Sequence, residues 1–263
     1  MSTDPLAVAQ DAARAGGAVI AAARSERSFS IKNKAPADFV TEVDVAAEKA
    51  VLEVLTTAFP DHAVLAEESG AKEGAESGHC WVIDPLDGTT NFIRDLPAFA
   101  VSVGLEHEGR PVVAAVYDVA HDELYSAARG QGAHRDGQVL RVSTATEFAE
   151  GLHATGIPFR ELTGMPEYLR ELEAMAMGSC GIRRMGSAAL DLCHVAAGRM
   201  ESFWEHGLSR WDISAGSLIV EEAGGTVSDL DGAQGHLDSG DILATNGLQH
   251  AALLERLKTA RES

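Results

Sequence analysis

The chain has 263 residues and a formal charge of −19 at pH 7, from 21 basic and 40 acidic side chains. That excess of acid argues against nonspecific nucleic-acid binding and against docking on anionic membranes. An apolar fraction of 45% is ordinary for a globular protein and supports a sizeable core, in one large domain or two lobes.

The first residues, Met1-Ser-Thr-Asp-Pro5, carry no basic n-region or leader-like apolar core, and no apolar run reaches spanning length. A soluble, cytoplasmic protein is the expectation. Alanine-rich helical periodicity predicts a helix from Pro5 to about Arg24, capped by Asp4. A short strand is expected over Ser28–Ile31. A second amphipathic helix is expected over Thr41–Phe59, ended by Pro60. Val64 and Leu65 read as a strand, and Ala71–His79 as a polar loop. From Trp81 to about Val142 the composition turns to strands: Ala100–Glu106, Pro111–Asp118 and Glu123–Ala127 form an antiparallel meander, with a hairpin turn at His107–Gly109. Tight turns are expected at Gly130–Gly132 and Asp136–Gly137.

After Glu150 strands and helices alternate. Strands are expected at Leu152–Thr155, Ile182–Met185, Ser202–Glu205, Thr226–Ser228 and Ile242–Thr245. Helices are expected at Pro166–Met177, Ser187–Ala197, Ile213–Ala223 and Gln249–Lys258. The change of pattern places a lobe boundary near Glu150, giving lobes 1–150 and 151–263. Cys80, Cys180 and Cys193 lack metal-ligand spacing and read as buried small apolar residues. His62, His79 and His107 fall in expected turns or loops, and none of the ten histidines has metal-ligand spacing.

The chemistry concentrates in Trp81-Val-Ile-Asp-Pro-Leu-Asp-Gly-Thr-Thr-Asn91. Asp84 lies at the end of an apolar strand that Pro85 is expected to interrupt, and the turn can bring Asp87 back toward it. Two carboxylates this close repel unless a proton or cation separates them. Hard divalent cations want clustered oxygens, and phosphate wants backbone N–H groups at a glycine turn or helix start. Gly88, Thr89 and Thr90 offer such a turn, with Thr89 or Thr90 near the N-cap. Taken singly, other acids have plain structural roles. Glu67 and Glu68 read as a solvated loop. Asp44 reads as a first-turn helix acid, and Asp212 as an N-cap or first-turn residue.

Combined, these segments resemble the inositol monophosphatase family of magnesium-dependent, lithium-sensitive sugar phosphatases. The carrying residues are Ala66-Glu-Glu-Ser69, the Trp81–Asn91 string and Trp211-Asp-Ile-Ser-Ala-Gly216, supported by Thr41-Glu-Val-Asp44, Gly186-Ser-Ala-Ala189 and Glu222-Ala-Gly-Gly225. They occur in family order along nearly the whole chain. Ala66 stands where the family usually has glycine. The resemblance implies an α/β, layered αβαβα sandwich of two tightly packed lobes. It implies that Glu67, Asp84 and the Leu86 carbonyl bind one Mg²⁺, that Asp84, Asp87 and Asp212 bind a second, and that Glu67 helps hold a third through water. Gly88 and Thr89 would hold the phosphate, and Thr89 with Asp44 would polarise the attacking water. Gly186, Ser187, Ala188, Asp212 and Glu205 would line the substrate pocket, with Glu205 as sugar-hydroxyl ligand and Lys34 near the entrance.

The activity so implied is phosphoric monoester hydrolysis of a small polyol phosphate by metal-activated water. The leading substrate is myo-inositol 1-phosphate, and a homodimer is expected. Histidinol phosphate, fructose 1,6-bisphosphate or a 3′-phosphonucleotide is the alternative within the family. A noncatalytic regulatory protein on the same fold is the alternative outside enzymes, although Asp44, Thr89 and the metal carboxylates are all present. The paired Arg183-Arg184 could meet a partner subunit, an anionic substrate or an ion-pair partner.

Overall fold

The computed structural model describes residues 4–27, 29–35, 38–74, 77–159 and 162–263. Asp4 caps α1 (Pro5–Glu26) by accepting from the Leu6 N–H, and Pro5 takes the first turn, where no intrahelical donor is required. Apart from Ile20, the buried residues of α1 are alanine and glycine, which permits close approach. A Cβ on Gly17 would stand 2.3 Å from the Tyr117 ring. An antiparallel pair, β1 (Ile31–Ala35) and β2 (Asp38–Thr41), leads into α2 (Glu42–Ala58). Ser28, expected to open the first strand, lies outside the described residues, as does the side chain of Lys34.

Next come β3 (Ala63–Ala66), β4 (Gly70–Lys72), β5 (His79–Asp87), the five-residue α3 (Thr89–Ile93), β6 (Ala100–His107), β7 (Arg110–Asp118), β8 (Glu123–Ala128), β9 (Ala133–Arg135) and β10 (Gln138–Val139). They form one eight-stranded sheet in the order β10-β9-β8-β7-β6-β5-β3-β4. The expected meander is present from β5 to β10, while β3 joins β5 in parallel. Ala71 and Lys72, expected as loop, instead pair with β3 as part of β4.

The remaining chain contributes β11 (Leu152–Thr155), α4 (Met165–Ala176), β12 (Gly181–Arg183), α5 (Ala188–Ala196), β13 (Ser202–Glu205), α6 (Arg210–Glu222), β14 (Thr226–Ser228), α7 (His236–Ser239), β15 (Ile242–Thr245) and α8 (His250–Glu262). Their five-stranded sheet has the order β12-β11-β13-β15-β14. α6 begins three residues before the expected Ile213, because Ser209 caps it. β12 ends at Arg183 rather than Met185.

Five layers result: α1 and α2, the large sheet, α5 and α6, the small sheet, then α4 and α8. This is the layered αβαβα sandwich. Three cores separate the layers. Ile20, Val51, Leu55, Trp81 and Phe99 fill the first. Val116, Leu190, Phe203, Ile213 and Leu218 are in the second, which joins residues from both sides of residue 150. Met175, Trp204, Leu253 and Leu257 fill the third. Of the cysteines only Cys193 is buried as expected. Cys80 is half-buried and Cys180 exposed.

Candidate active site at the end of the central strand

β5 does not end at Pro85. It continues to Asp87 through a bulge: Asp84 pairs with Ser102 and Asp87 with Ala100, so three steps on β5 match two on β6. Proline lacks the N–H a ladder needs and is accommodated at bulges. The bulge decides the geometry of the site. In a regular strand, residues three apart face opposite sides of the sheet. One extra residue restores the parity, and Asp84 and Asp87 both line the same cavity. Asp84 Oδ1 accepts from the Leu86 N–H at 2.9 Å. Gly88 then turns the chain with φ of 90°, and it, rather than Thr89 or Thr90, caps α3. A Cβ there would lie 2.6 Å from the Ala98 carbonyl oxygen. Thr89 Oγ1 is 3.0 Å from the Leu86 carbonyl oxygen and 3.1 Å from Asp44 Oδ1, two acceptors for its single proton. Asn91 closes the segment by donating from Nδ2 to the carbonyls of Ala98 at 2.7 Å and Met185 at 2.8 Å.

Two distant acids are delivered by the same local device. Asp44 and Asp212 each occupy the third position of a helix, where a carboxylate can reach back to the cap. Asp44 Oδ2 accepts from the Thr41 N–H at 2.8 Å and the Thr41 hydroxyl at 2.6 Å. Asp212 Oδ2 accepts from the Ser209 N–H at 2.7 Å. The first-turn reading of both residues therefore holds, and the contact with Thr41 leaves Asp44 Oδ1 facing Thr89. Glu67 follows β3, which lies parallel to β5. Ala66 pairs with Ile83, and the Glu67 N–H donates to the Ile83 carbonyl at 3.1 Å, so Glu67 arrives at the level of Asp84. Ser187 caps α5 and also donates its hydroxyl to Asp87 Oδ2 at 2.7 Å, an oxygen that accepts as well from the Ala189 N–H at 2.8 Å.

These elements surround a cavity of about 900 Å³. Glu67, Asp84, Leu86, Asp87, Gly88, Thr89, Gly186, Ser187, Ala188, Glu205 and Asp212 all line it, and Asp44 stands behind Thr89. Burial, then the charges of Glu67, Asp87 and Asp212, holds Asp84 well above the usual carboxylate range. Burial and the Asp87 charge do the same to Asp212. Asp87 is pushed up by burial, against its bonds from Ser187 and Ala189, to about 6. Buried carboxylates that raise one another in this way suit a site built for cations. Among the described residues no three His, Cys, Asp or Glu side chains are gathered as a ready-made metal cage. The donors ring the cavity instead.

Arg184 lines the cavity with its guanidinium 5.0 Å from the centre of the Phe159 ring, while the exposed Arg183 donates to the Ile182 carbonyl. The sequence reading misses three residues. Glu48, one turn after Asp44, accepts from the Glu68 N–H at 2.9 Å. Its signal is the spacing of four on one helix face. His206 and Asp191 also line the cavity. His206 adjoins Glu205 in sequence, but nothing local marks Asp191. His79 and His107, expected in turns or loops, are paired residues of β5 and β6. With His62 they form a stack, with ring centres 4.8 and 4.4 Å apart.

The model of the inositol monophosphatase family matches residues 2–262. Inositol-1-monophosphatase of Mesorhizobium japonicum is 44% identical over 232 residues, 88% of this chain and 87% of that one. Nus factor SuhB of Pasteurella multocida is 45% identical over 240 residues, 91% of this chain and 90% of that one. The solved structure of extragenic suppressor protein suhB from Bartonella henselae superimposes with a TM-score of 0.93 at 40% identity, over 96% of this chain and 97% of that one. The match to the family along essentially the whole length, on a shared fold, makes this chain a member of the inositol monophosphatase family.

Proposed function

We propose that the protein is a Mg²⁺-dependent phosphatase of small polyol phosphates, with myo-inositol 1-phosphate the leading substrate. Family membership supports a phosphatase. The observation that carries the site assignment is the gathering of Glu67, Asp84, Asp87 and Asp212, from three separate segments, around one cavity beside the Thr89–Asp44 pair.

In this reading Glu67, Asp84, the Leu86 carbonyl, Asp87 and Asp212 hold two to three Mg²⁺ ions. The ions, when bound, offset the charge of the ester dianion and activate water. The chain's own residues do the rest. Gly88 and Thr89 present backbone N–H groups to the phosphate. Asp44 Oδ1 accepts the Thr89 hydroxyl proton, which turns a Thr89 lone pair toward the water and orients it for in-line attack. Ser187 fixes Asp87 while Gly186 and Ala188 shape the wall. Glu205 accepts from a hydroxyl of the polyol. No phosphorylated protein intermediate is expected. Asp87→Asn and Asp212→Asn should each abolish Mg²⁺-dependent phosphate release while leaving the fold intact by circular dichroism. Near-normal activity in either would overturn the metal assignment. A panel of inositol, histidinol, fructose and nucleotide phosphates ranked by kcat/KM tests the substrate.

A homodimer belongs to the same proposal and is measured by sedimentation. A second reading, a noncatalytic binding role, is favoured by relatives named Nus factor SuhB at 43–45% identity. Capture of the same stable partner by the wild-type and Asp87→Asn proteins would support that role alongside catalysis.

A further inference from the structure

Asp191 is a buried acid with no part in the chemistry above. It lies on α5, is 2% exposed, and lines the same cavity as Glu205. Its Oδ1 has no hydrogen-bond partner in the protein. A carboxyl taken from water and left unpartnered opposes folding, so packing alone does not explain it. Its charged neighbours come from three other elements: Glu205 at the end of β13, Asp87 at the end of β5 and Arg184 after β12.

We propose that Asp191 is a specificity-determining residue that hydrogen-bonds a hydroxyl of the polyol on the cavity wall it shares with Glu205. The assignment rests on the phosphatase reading. Burial first, then the charges of Glu205 and Asp87, holds the Asp191 carboxyl well above the usual carboxylate range, with Arg184 opposing them. A carboxyl oxygen accepts a hydrogen bond from an alcohol, whereas a phosphate dianion has no proton to give it. Aspartate χ2 is broad, so either oxygen can turn to an incoming hydroxyl. Glu205 and Asp191, on one wall of the cavity, together would read two neighbouring hydroxyls.

The test compares myo-inositol 1-phosphate with p-nitrophenyl phosphate, an ester without alcohol groups. In Asp191→Leu the KM for the inositol ester should rise about tenfold or more while kcat/KM for the p-nitrophenyl ester stays within about twofold. Asp191→Asn keeps an acceptor oxygen and should restore the inositol KM. The Tm of the leucine variant should equal or exceed that of the wild type, since a residue kept for a ligand costs stability where a residue kept for structure adds it. Asp191→Ala carries the same comparison if the leucine variant does not fold. Equal losses on both esters, or an unchanged inositol KM, would overturn the assignment. Failure of the wild type to release phosphate from any ester of the panel would overturn the phosphatase reading, and this assignment with it; activity on other esters but not on the inositol ester would overturn this assignment alone.

Discussion

Glu205 occupies the space that a side chain on Gly156 would fill. A Cβ at Gly156 would stand 1.8 Å from the Glu205 carboxyl carbon. The clash is with the tip of a side chain, so the fold can absorb it by moving Glu205. Gly156→Ala should therefore leave Tm nearly unchanged and lower kcat/KM for the inositol ester by about tenfold, the worth of roughly one charge-assisted hydrogen bond. Paired thermal melts and steady-state kinetics check both halves. A large fall in Tm would show that Glu205 cannot move, and that the glycine serves the backbone. At this scale most of the site is legible in the sequence. The acids from Glu67 to Asp212 and the Thr89–Asp44 pair are carried by short contiguous motifs. Gly156 and Asp191 are not, because their meaning lies in what the fold brings beside them.

Helix α2 carries two site contacts on one face. Asp44 meets Thr89, and Glu48, four residues on and 4% exposed, accepts from the Glu68 N–H. A single helix thus holds both the turn at Thr89 and the loop that bears Glu67. Removing the Glu48 carboxyl would unpair a part-buried N–H, at a cost of about 1–3 kcal/mol. Glu48→Ala should lower Tm and raise the Mg²⁺ concentration for half-maximal activity several-fold, and Glu48→Gln, which keeps an acceptor oxygen, should recover most of both. Mg²⁺ titration of activity and calorimetric Mg²⁺ binding without substrate measure the effect. Unaltered Mg²⁺ affinity in the alanine variant would count against the positioning role. The long elements are legible from periodicity: α1, α2, α6 and the β6–β7 hairpin lie close to where the pattern puts them. The short ones fare unevenly: β11, β13, β14 and β15 lie where they are expected, bounded by turn residues on a strand-like composition. The three-residue β4 and β9 and the four-residue α7 are too brief to show a period. The bulge at Pro85 is hidden because proline signals a break equally well whether pairing stops or slips by one residue.

Across the whole molecule, one polar network ties the cavity to the outer helical layer. His206 Nε2 lies 2.8 Å from Glu171 Oε2 on α4, and Nδ1 lies 3.5 Å from Asp241 Oδ1. Arg261 on α8 approaches the other Glu171 oxygen at 3.8 Å and donates to the Leu230 carbonyl at 2.6 Å. Burial alone would lower the His206 pKa, but Asp241 and then Glu171 outweigh it and raise it to about 9. The unfolded value is near 6.5. The folded state therefore holds the His206 proton more tightly, and stability falls with pH wherever the folded state binds more protons. The contribution is complete below about pH 6.5 and is lost as pH rises through about 9. The pKa of Asp241 is lowered, chiefly by its hydrogen bond with His206, so its own contribution is lost only on acidification below the usual carboxylate range. Urea unfolding at intervals from pH 6 to pH 9.5 should show the wild type losing stability across that window. His206→Gln should be less stable than the wild type at pH 6 and should converge on it near pH 9.5. A constant difference between the two proteins would show that His206 is neutral in the fold and that the network acts only through geometry.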